Sequence, residues 1–339
     1  MGNTPPRSFN TVKNSNREQR AKRKKQARQV FLAIILVAIL IVVTAFVLLI
    51  CSVVHAIISN QPTDEVTPPT NDEPTATEIV YTAATVSSAD VHKGDLILVS
   101  EKQGLQYVFP SVSNLVLIEE LRKDQNGVRP YQTRVLREDE RLLSDAAYAA
   151  NQMLTDFYLK FGDNSLILMD SYRSQKDQET YSSTPVGFSE HHTGLVFTIR
   201  TYDANNKVAS LSQNAMSDWI YENCHKYGII CRYPTDKEAI TGVNSYNYCF
   251  RYVGVAHATY MKQHNLCLEE YIELLKSTYS NGSMLDVVDG ETAYKIYYVS
   301  AASDELTTVT VPQNYKYTVS GDNSTGFIVT IYCNSPITE

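Results

Sequence analysis

Two adjacent histidines, His191 and His192, stand in the stretch SEHHTGL, directly before a glycine and an apolar run. Imidazole is a common ligand of catalytic zinc, which is normally held by three protein ligands with water at the fourth position. A zinc hydrolase would then need a carboxylate or a second imidazole in the strand that follows. The chain has Thr198 there, so either the remaining ligands lie elsewhere or the metal chemistry has been lost.

Two further stretches carry groups suited to a charged ligand or to a metal. In SYRSQKDQ, Arg173 has a guanidinium whose planar fork can bind both oxygens of a carboxylate, and Gln178 follows it. The pattern alone also allows Arg173 to form a surface salt bridge. Ser189, before the histidines, could hydrogen-bond a ligand or cap a turn. In YNYCFRYVG, Cys249 offers a thiol that binds metals as the thiolate.

These stretches come in a recognisable order: SYRSQKDQ at 171–178, SEHHTGL at 189–195, and RYP, ITG and YNYCFRYVG within 232–254. Together they resemble the VanY-like D-alanyl-D-alanine carboxypeptidases, zinc peptidases that remove the terminal D-alanine from bacterial cell-wall stem peptides. The resemblance covers roughly residues 91–277, and the β-rich tail looks like an extension that some members carry. It implies an α+β ectodomain of the D-Ala-D-Ala carboxypeptidase (hedgehog/D,D-peptidase) type, zinc as the family's cofactor, and Arg173, Gln178 and Ser189 as substrate-binding residues.

The positions of the family's metal ligands and base are only partly kept. In the family a Ser-x-His-x-x-Gly-x-x-x-Asp segment supplies two zinc ligands, and it places His191 at the first and Thr198 at the second. A later Glu-x-x-His segment, aligned on the shared Arg-Tyr-Val-Gly, places Tyr246 at the catalytic base and Cys249 at the third ligand. A neutral hydroxyl is a poor zinc ligand, and a phenol with a reference pKa near ~10 is a poor proton acceptor at neutral pH. His191 and Cys249 would hold zinc weakly, and no residue is assigned as catalytic.

Neighbouring residues are not expected to restore the site. Adjacent side chains on an extended backbone point to opposite faces, so His192 is not expected to share a metal with His191. Asp203 follows Thr198 by five residues, beyond the expected end of the strand.

These residues lead to three functional hypotheses. The preferred one is a pseudoenzyme with a VanY-like fold that binds peptidoglycan stem peptides at their D-Ala-D-Ala end, or a cell-wall protein. The alternative is an active zinc D-alanyl-D-alanine carboxypeptidase in peptidoglycan processing, with His191 and Cys249 as atypical ligands and help from Asp203. The third is a structural scaffold in which the β-rich tail is the working part.

The first 58 residues predict a membrane anchor. Residues 1–29 hold nine basic side chains and one acid, and Phe31–Val54 carries no charge. Helix over these 24 residues spans ~36 Å, enough to cross a ~30 Å hydrocarbon core. The apolar part of a cleaved signal peptide is usually only ~7–15 residues long. The basic cluster predicts a single-pass protein of the bacterial cell membrane, with its N-terminus in the cytoplasm and the remainder outside.

Composition separates the segments that follow the basic tail. A transmembrane segment at 30–58 is followed by a stalk at 59–78 that is rich in proline, threonine and acids. A VanY-like domain is predicted at 79–285 and a β-rich extension at 286–339. Beyond the tail the chain has 21 basic and 36 acidic residues, and this net charge of −15 argues against a nucleic-acid partner.

The elements that must position the candidate residues follow from periodicity. Residues 138–161 predict a long helix that ends at Gly162, and the apolar run before Asp170 predicts a buried strand. Strands are also expected at LVFTIRTYD, IICRYP and YNYCFRYVG, and at the domain's edge in DLILVSEKQGLQYVF. Helices are expected at Met216–Tyr227 and Leu268–Leu275. This mixture indicates an α+β fold.

Cysteines are few for a chain expected outside the cell. One, Cys51, lies in the apolar stretch, and the five beyond it are Cys224, Cys231, Cys249, Cys267 and Cys333. An odd number cannot all pair within one chain. Bridges between Cys224 and Cys231, or between Cys231 and Cys249, are both compatible with the sequence.

Overall fold

The computed structural model describes most of the chain beyond residue 77. The described residues are 78–109, 114–122, 134–163, 165–203, 205, 207–211, 215–244 and 246–336. The predicted basic tail, the transmembrane helix with Cys51 and nearly all of the stalk lie outside them. Within the described ranges, every helix is too short or too polar to span a bilayer.

The described ranges contain six α-helices, and the sequence predicted the first, the third and the last of them. The six helices are α1 Ser144–Phe161, α2 Gln175–Tyr181, α3 Ala215–Asn223, α4 Glu238–Thr241, α5 Val255–His264 and α6 Leu268–Thr278. Helix α1 begins later than predicted because Arg141–Leu143 pairs as a strand with Leu115–Leu117. It ends as predicted at Gly162, which adopts the left-handed conformation with φ of 62°. Helix α3 is shorter than predicted because its last turn, Cys224–Tyr227, is a 3-10 helix.

In the described ranges the strands form a six-stranded central sheet, a four-stranded sheet near the C-terminus and two sheets of two strands each. The strands are β1 Tyr81–Ser87, β2 Leu115–Leu117, β3 Arg134–Val135, β4 Arg141–Leu143, β5 Leu166–Met169, β6 Val196–Tyr202, β7 Val208–Ala209, β8 Ile229–Cys231, β9 Cys249–Tyr252, β10 Leu285–Asp289, β11 Thr292–Ser300, β12 Leu306–Pro312, β13 Tyr315–Gly321 and β14 Gly326–Pro336. The central order is β3-β5-β6-β9-β8, with β7 beside β6 and only the β3–β5 pair parallel. The predicted α+β class is confirmed.

The segment DLILVSEKQGLQYVF differs from its prediction. It contains a single bridge between Ser100 and Leu105 instead of an edge strand. Its apolar residues are buried all the same, from Leu96 to Val99. Burial, rather than strand pairing, accounts for the apolar run that suggested a strand.

The apolar face of α1 packs against the central sheet, and the two together form a hydrophobic core. Ala147, Met153 and Phe157 of this helix are fully buried or nearly so and belong to one cluster with Phe197 of β6 and Phe250 of β9. This packing holds β6 and β9 side by side, and these strands carry two of the candidate site positions.

The C-terminal strands share a core with the helices that precede them. Strands β10, β11, β14 and β13 form an antiparallel sheet, and β12 pairs with β1 from the other end of the described chain. Tyr271 and Leu275 of α6 lie in one buried cluster with Ile296, Tyr298 and Ile328 of these strands. The segment predicted as a small extension therefore covers an apolar face that the helices expose, and it does not pack as a separate body.

The five cysteines in the described ranges are unpaired. Neither of the two bridges compatible with the sequence is formed. The Cys231 thiol instead donates a hydrogen bond to the Asn247 carbonyl oxygen at 3.2 Å.

Candidate ligand-binding cleft

A cleft of about 720 Å³ brings together most of the predicted site residues. Arg173, Ser189, His191, Tyr246 and Cys249 all line it. Arg173 precedes α2, the next two stand before β6, and the last two lead into and begin β9. The three stretches that carry the family resemblance therefore meet at one surface.

The turn that carries His191 is a 3-10 helix, Glu190–Thr193, which ends at Gly194. Gly194 has φ of 72°, and a Cβ there would lie 3.0 Å from Leu115 Cδ2, so glycine suits this turn. The His191 Nδ1 lies 3.1 Å from the Ser171 carbonyl oxygen, which only accepts, so Nδ1 carries the proton. Burial, then the Arg173 charge, lowers the pKa of His191 to about 4. The imidazole is neutral at pH 7, with Nε2 as its remaining acceptor.

The second histidine, His192, is fully engaged away from any ligand. Its Nδ1 donates to the Arg173 carbonyl oxygen at 2.8 Å, and its Nε2 accepts from the Gly187 amide at 3.3 Å. Its ring packs against Phe109, with 4.7 Å between centroids. His192 is thus unavailable to a metal because both ring nitrogens are hydrogen-bonded to backbone atoms. The reason differs from the predicted one, since His192 lies in a 3-10 turn and not on an extended backbone.

Thr198 and Cys249 are direct neighbours across β6 and β9. Both side chains are completely buried. The Thr198 hydroxyl donates to the Met169 carbonyl oxygen at 3.1 Å. Burial, followed by the negative charge of Glu190, raises the pKa of the Cys249 thiol well above its usual value. Neither position supplies the anionic or imidazole ligand that the family motif has there.

The predicted base position is occupied by an aromatic cluster. The Tyr246 ring lies 4.6 Å from that of Tyr248 and 6.0 Å from that of Tyr233, centroid to centroid. Burial, and then the neighbouring Cys249, raises the pKa of the Tyr246 phenol above its usual value. A protonated phenol is a hydrogen-bond donor at neutral pH and a weak base.

Arg173 is the retained group best placed to meet a charged ligand. Its side chain is 14% exposed and pairs with Asp170, with 3.3 Å between Nη2 and Oδ1. Gln178, predicted beside it as a second ligand contact, is fully buried and is not among the residues that line the cleft. Its amide donates to the Thr184 carbonyl oxygen at 2.9 Å and its Oε1 lies 3.4 Å from Arg173 Nη1. Gln178 supports Arg173 from behind, because helix α2 turns it inward.

A buried ion network at the cleft was not predicted from the sequence. Arg232 donates to Glu190 at 2.8 Å and to both Glu269 oxygens at 2.9 and 3.0 Å, and Arg251 pairs with Glu190 at 2.7 Å. Burial acts most strongly on the Glu269 carboxyl and opposes its ionisation, but the Arg232 charge and several hydrogen bonds together lower the pKa of Glu269. Glu190 and Arg232 stand in the motifs SEHHTGL and RYP, whereas Glu269 had no sequence signal. The two acids and two bases neutralise one another.

Of the two aspartates near β6, one pairs with a residue of the cleft and the other is far from it. Asp170, with φ of 49°, pairs with Arg173 and lies 3.5 Å from the Thr198 hydroxyl. Asp203 is exposed and accepts hydrogen bonds from the amides of Asn205 and Lys207. Asp203 follows Thr198 by five residues, and an extended backbone of this length spans roughly 17 Å. Asp203 therefore cannot assist His191 and Cys249, as the active-enzyme hypothesis required.

The donors at the family's metal positions do not fit a catalytic zinc ion. His191 offers one imidazole nitrogen and Cys249 one thiol, but the Thr198 hydroxyl is hydrogen-bonded to the Met169 carbonyl oxygen. The nearby carboxylates of Glu190 and Glu269 are paired with arginines. In the part of the chain that the structure describes, no three His, Cys, Asp or Glu side chains are grouped to hold a metal. Catalytic zinc needs three such ligands.

Comparison with known proteins identifies the family. Residues 139–255 match the family model described as VanY, D-alanyl-D-alanine carboxypeptidase. A D-alanyl-D-alanine carboxypeptidase of Enterococcus faecium is 31% identical over 264 residues, which cover 75% of this chain and 80% of the relative.

Two solved structures resemble the chain to different extents. The vancomycin-resistance D,D-dipeptidase VanXYg, solved with a D-Ala-D-Ala phosphinate analogue, has a TM-score of 0.62 at 24% identity and covers 75% of this chain and 99% of its own. This likeness shows the fold. The D,D-pentapeptidase VanY of a VanB-type resistance cassette, solved as a mutant with Zn(II), has a TM-score of 0.37 at 27% identity over 52% of this chain and 98% of its own. By its family match and its extended similarity to the Enterococcus faecium enzyme, the chain belongs to the VanY family of D-alanyl-D-alanine carboxypeptidases.

Proposed function

We propose that the chain is a VanY-like pseudoenzyme that binds the D-Ala-D-Ala end of peptidoglycan stem peptides without hydrolysing it. The relatives' names point to this peptide class. The cleft of about 720 Å³ has room for a short peptide terminus. The proposal separates two properties of the family site, the binding of the peptide and the cleavage of its terminal bond.

The observation that carries the proposal is a difference between two groups of residues. The ligand-binding arginine of the family motif is present, whereas the metal and base positions hold other residue types. Arg173 lines the cleft with a partly exposed guanidinium, and Gln178 and Asp170 hold it in place. Thr198, Cys249 and Tyr246 occupy the metal and base positions with groups that are neutral at pH 7. A guanidinium can bind the carboxylate of a peptide terminus through two parallel hydrogen bonds.

Electrostatics supports the same assignment. The four charges of Glu190, Glu269, Arg232 and Arg251 cancel within the buried network. Arg173 is thus the charged group of the retained motif that is left to meet a ligand. A carboxylate that enters beside it would share the guanidinium with Asp170.

Peptide binding by the full chain tests the proposal. The probe is an N-acylated lysyl-D-Ala-D-Ala peptide, titrated by calorimetry, and the same peptide ending in L-Ala-L-Ala is the stereochemical control. Replacing Arg173 with alanine should weaken binding roughly tenfold to a hundredfold, because a charge-assisted hydrogen bond is lost. Arg141→Ala, which removes an exposed arginine outside the cleft, should leave the affinity unchanged.

Two results would reject the proposal. Absence of binding, or equal binding by wild type and Arg173→Ala, removes the peptide-binding function and favours a cell-wall protein as partner. Release of D-alanine by wild type, together with about one zinc per chain, identifies an active carboxypeptidase with unusual ligands instead.

The proposed location is the outer face of a bacterial cell membrane. The support is the uncharged stretch Phe31–Val54 behind nine basic residues, a pattern typical of a single-pass anchor. The full chain should stay with membranes after alkaline carbonate extraction, and external protease should remove the part beyond residue 78. Release of the intact chain into the soluble fraction would contradict this placement.

A further inference from the structure

The turn between β13 and β14 is a rigid structure built on Asp322. Its Oδ1 accepts hydrogen bonds from the backbone amides of Ser324, Thr325 and Gly326 at 2.7, 2.8 and 3.1 Å. Its Oδ2 accepts from the Tyr298 hydroxyl at 2.9 Å. Asp322 is buried. The turn is therefore held in one shape by its own carboxylate and by the C-terminal sheet.

Asn323 lies in this turn and forms hydrogen bonds with residues 91–106, near the N-terminal end of the described chain. It is 4% exposed and has φ of +64°. Its Nδ2 donates to the carbonyl oxygens of Leu98 and Gln106 at 2.8 and 3.2 Å. Its Oδ1 forms a hydrogen bond of 2.8 Å with the Nδ1 atom of the His92 ring. The backbone amide of Asn323 donates to the Val91 carbonyl oxygen at 2.7 Å. Every polar atom of the Asn323 side chain is used.

The residues between Leu98 and Gln106 form a wall of the cleft, which we name the strap (residues 98–106). Backbone hydrogen bonds of 2.8 and 2.9 Å between Ser100 and Leu105 close it into a hairpin. Ser100 and Lys102 line the cleft. The Lys102 side chain reaches helix α4, where its Nζ donates to the Ala239 carbonyl oxygen.

The base of the strap connects to the motif segments of the cleft. Immediately after the strap, the Tyr107 amide donates to the Gly187 carbonyl oxygen at 2.7 Å, two residues before Ser189. A Cβ at Gly187, where φ is +89°, would lie 2.5 Å from the Gln106 side chain. The strap is thus fixed on one side by the turn that precedes His191 and on the other by Asn323.

We propose that Asn323 is a positioning residue for the ligand cleft. One amide group bonds the carbonyls at both ends of the strap, Leu98 and Gln106, and so holds the base of the hairpin closed from the C-terminal sheet. The strap then presents Ser100 and Lys102 to a ligand at a set distance from Arg173. This inference rests on the proposed peptide-binding function, and it assigns the C-terminal strands a part in shaping the cleft.

The test replaces Asn323 with glycine, which tolerates the positive φ and removes only the side-chain amide. Asn281→Gly is the matched control, because Asn281 also has a positive φ, of 53°, in an exposed turn. Hydrogen exchange of the strap amides of Leu98, Ser100 and Leu105 and affinity for the D-Ala-D-Ala peptide are measured on the full chain. In Asn323→Gly we expect strap exchange roughly tenfold faster and affinity about fivefold to tenfold weaker.

A double-mutant cycle distinguishes positioning from general destabilisation. Lys102 is exposed, and Lys102→Met removes the hydrogen bond from the strap to the Ala239 carbonyl oxygen. If Asn323 acts through the strap, Asn323→Gly should weaken peptide binding by less than about twofold further once Lys102 is replaced. Additive losses of affinity would reject the positioning role.

The outcomes keep this inference separate from the proposed function. Equal strap exchange in the two glycine variants overturns the role of Asn323, whatever the peptide does. Faster strap exchange in Asn323→Gly, combined with no peptide binding by wild type, leaves the contact of Asn323 with the strap standing and overturns the proposed function. Should Asn323→Gly fail to fold, Asn323→Asp replaces it, because this change removes the Nδ2 bonds to Leu98 and Gln106 and keeps an oxygen for His92. Strap exchange in Asn323→Asp equal to that of wild type would then overturn the role of Asn323.

Discussion

Thr198 and Cys249 place neutral groups at the two positions where the family motif has metal ligands. They are paired across β6 and β9, and His191 lines the same cleft as Cys249. Both side chains are buried, and the Thr198 hydroxyl donates to the Met169 carbonyl oxygen. A hydroxyl and a protonated thiol bring no negative charge to the cleft.

Restoring the motif should restore metal binding. The double variant Thr198→Asp with Cys249→His places a carboxylate and a second imidazole at the family's positions beside His191, which makes three ligands. We expect zinc content, measured by elemental analysis of the full chain, to rise to about one per chain. The control is Thr198→Asn with Cys249→Ala, which adds no ligand of comparable strength. About one zinc in both wild type and the double variant would show that the native donors already suffice, and zinc in neither would contradict the prediction.

His257 connects α5 to the rest of the core and makes stability depend on pH. Its Nδ1 lies 2.8 Å from the Tyr271 hydroxyl and its Nε2 3.0 Å from the Thr330 hydroxyl. Burial lowers the pKa of this ring from 6.5 to about 3. The unfolded chain takes up a proton as the pH falls below about 6.5, whereas the folded chain resists it until about pH 3. The stability that His257 contributes is complete above pH 6.5 and decreases on acidification.

The measurement is the free energy of unfolding in urea between pH 7 and pH 4. His257→Gln should lose less stability on acidification than wild type, by up to about 1.4 kcal/mol per pH unit. His264→Gln, a substitution of an exposed histidine on the same helix, is the control and should follow wild type. Identical pH slopes for wild type and His257→Gln would contradict the assignment.

Helix α6 contributes to the cleft through a single buried carboxylate. Glu269 binds Arg232 through two hydrogen bonds, and both side chains are buried. Glu269→Gln should lower the free energy of unfolding by about 3–5 kcal/mol, because it removes a charge partner from a buried arginine. Glu273→Gln alters an exposed position of the same helix and should change stability by less than about 0.5 kcal/mol. Denaturant unfolding of the two variants measures the difference, and equal stabilities would show that Glu190 alone suffices for Arg232.

The molecule as a whole depends on the strands beyond residue 284. Ile296, Tyr298 and Ile328 lie in the buried cluster that contains Tyr271 and Leu275 of α6. A chain that stops after Met284 would expose this apolar face, and we expect it to lack a cooperative thermal transition. Calorimetry and near-ultraviolet circular dichroism of the truncated and full chains test this. A sharp transition with native-like dichroism in the truncated chain would show that the remaining residues fold on their own.

Local sequence patterns were sufficient to predict those helices and strands that have a clear apolar stripe or an apolar run. The apolar stripe and the terminal glycine predict α1, and the apolar runs predict β5, β6, β8 and β9. Helix α5 was not predicted, because it is packed on most sides and has little difference between its faces. The stretch that begins at Asp95 suggested a strand because burial produces the same apolar pattern as strand pairing.

The motifs in the sequence were also sufficient to identify the family. They brought Arg173, His191, Tyr246 and Cys249 to attention, and the structure places these residues at one cleft, while their roles toward a ligand or a metal stay predictions. The motifs depend on residue types at short spacings, which a single chain displays directly. Contacts between distant segments have no such signature. The inward direction of Gln178, the neutralisation of Glu190 by two arginines, the arrival of Glu269 from α6 and the bonds from Asn323 to the strap were decided by the tertiary structure, because each depends on which buried polar groups must find partners once the core has closed.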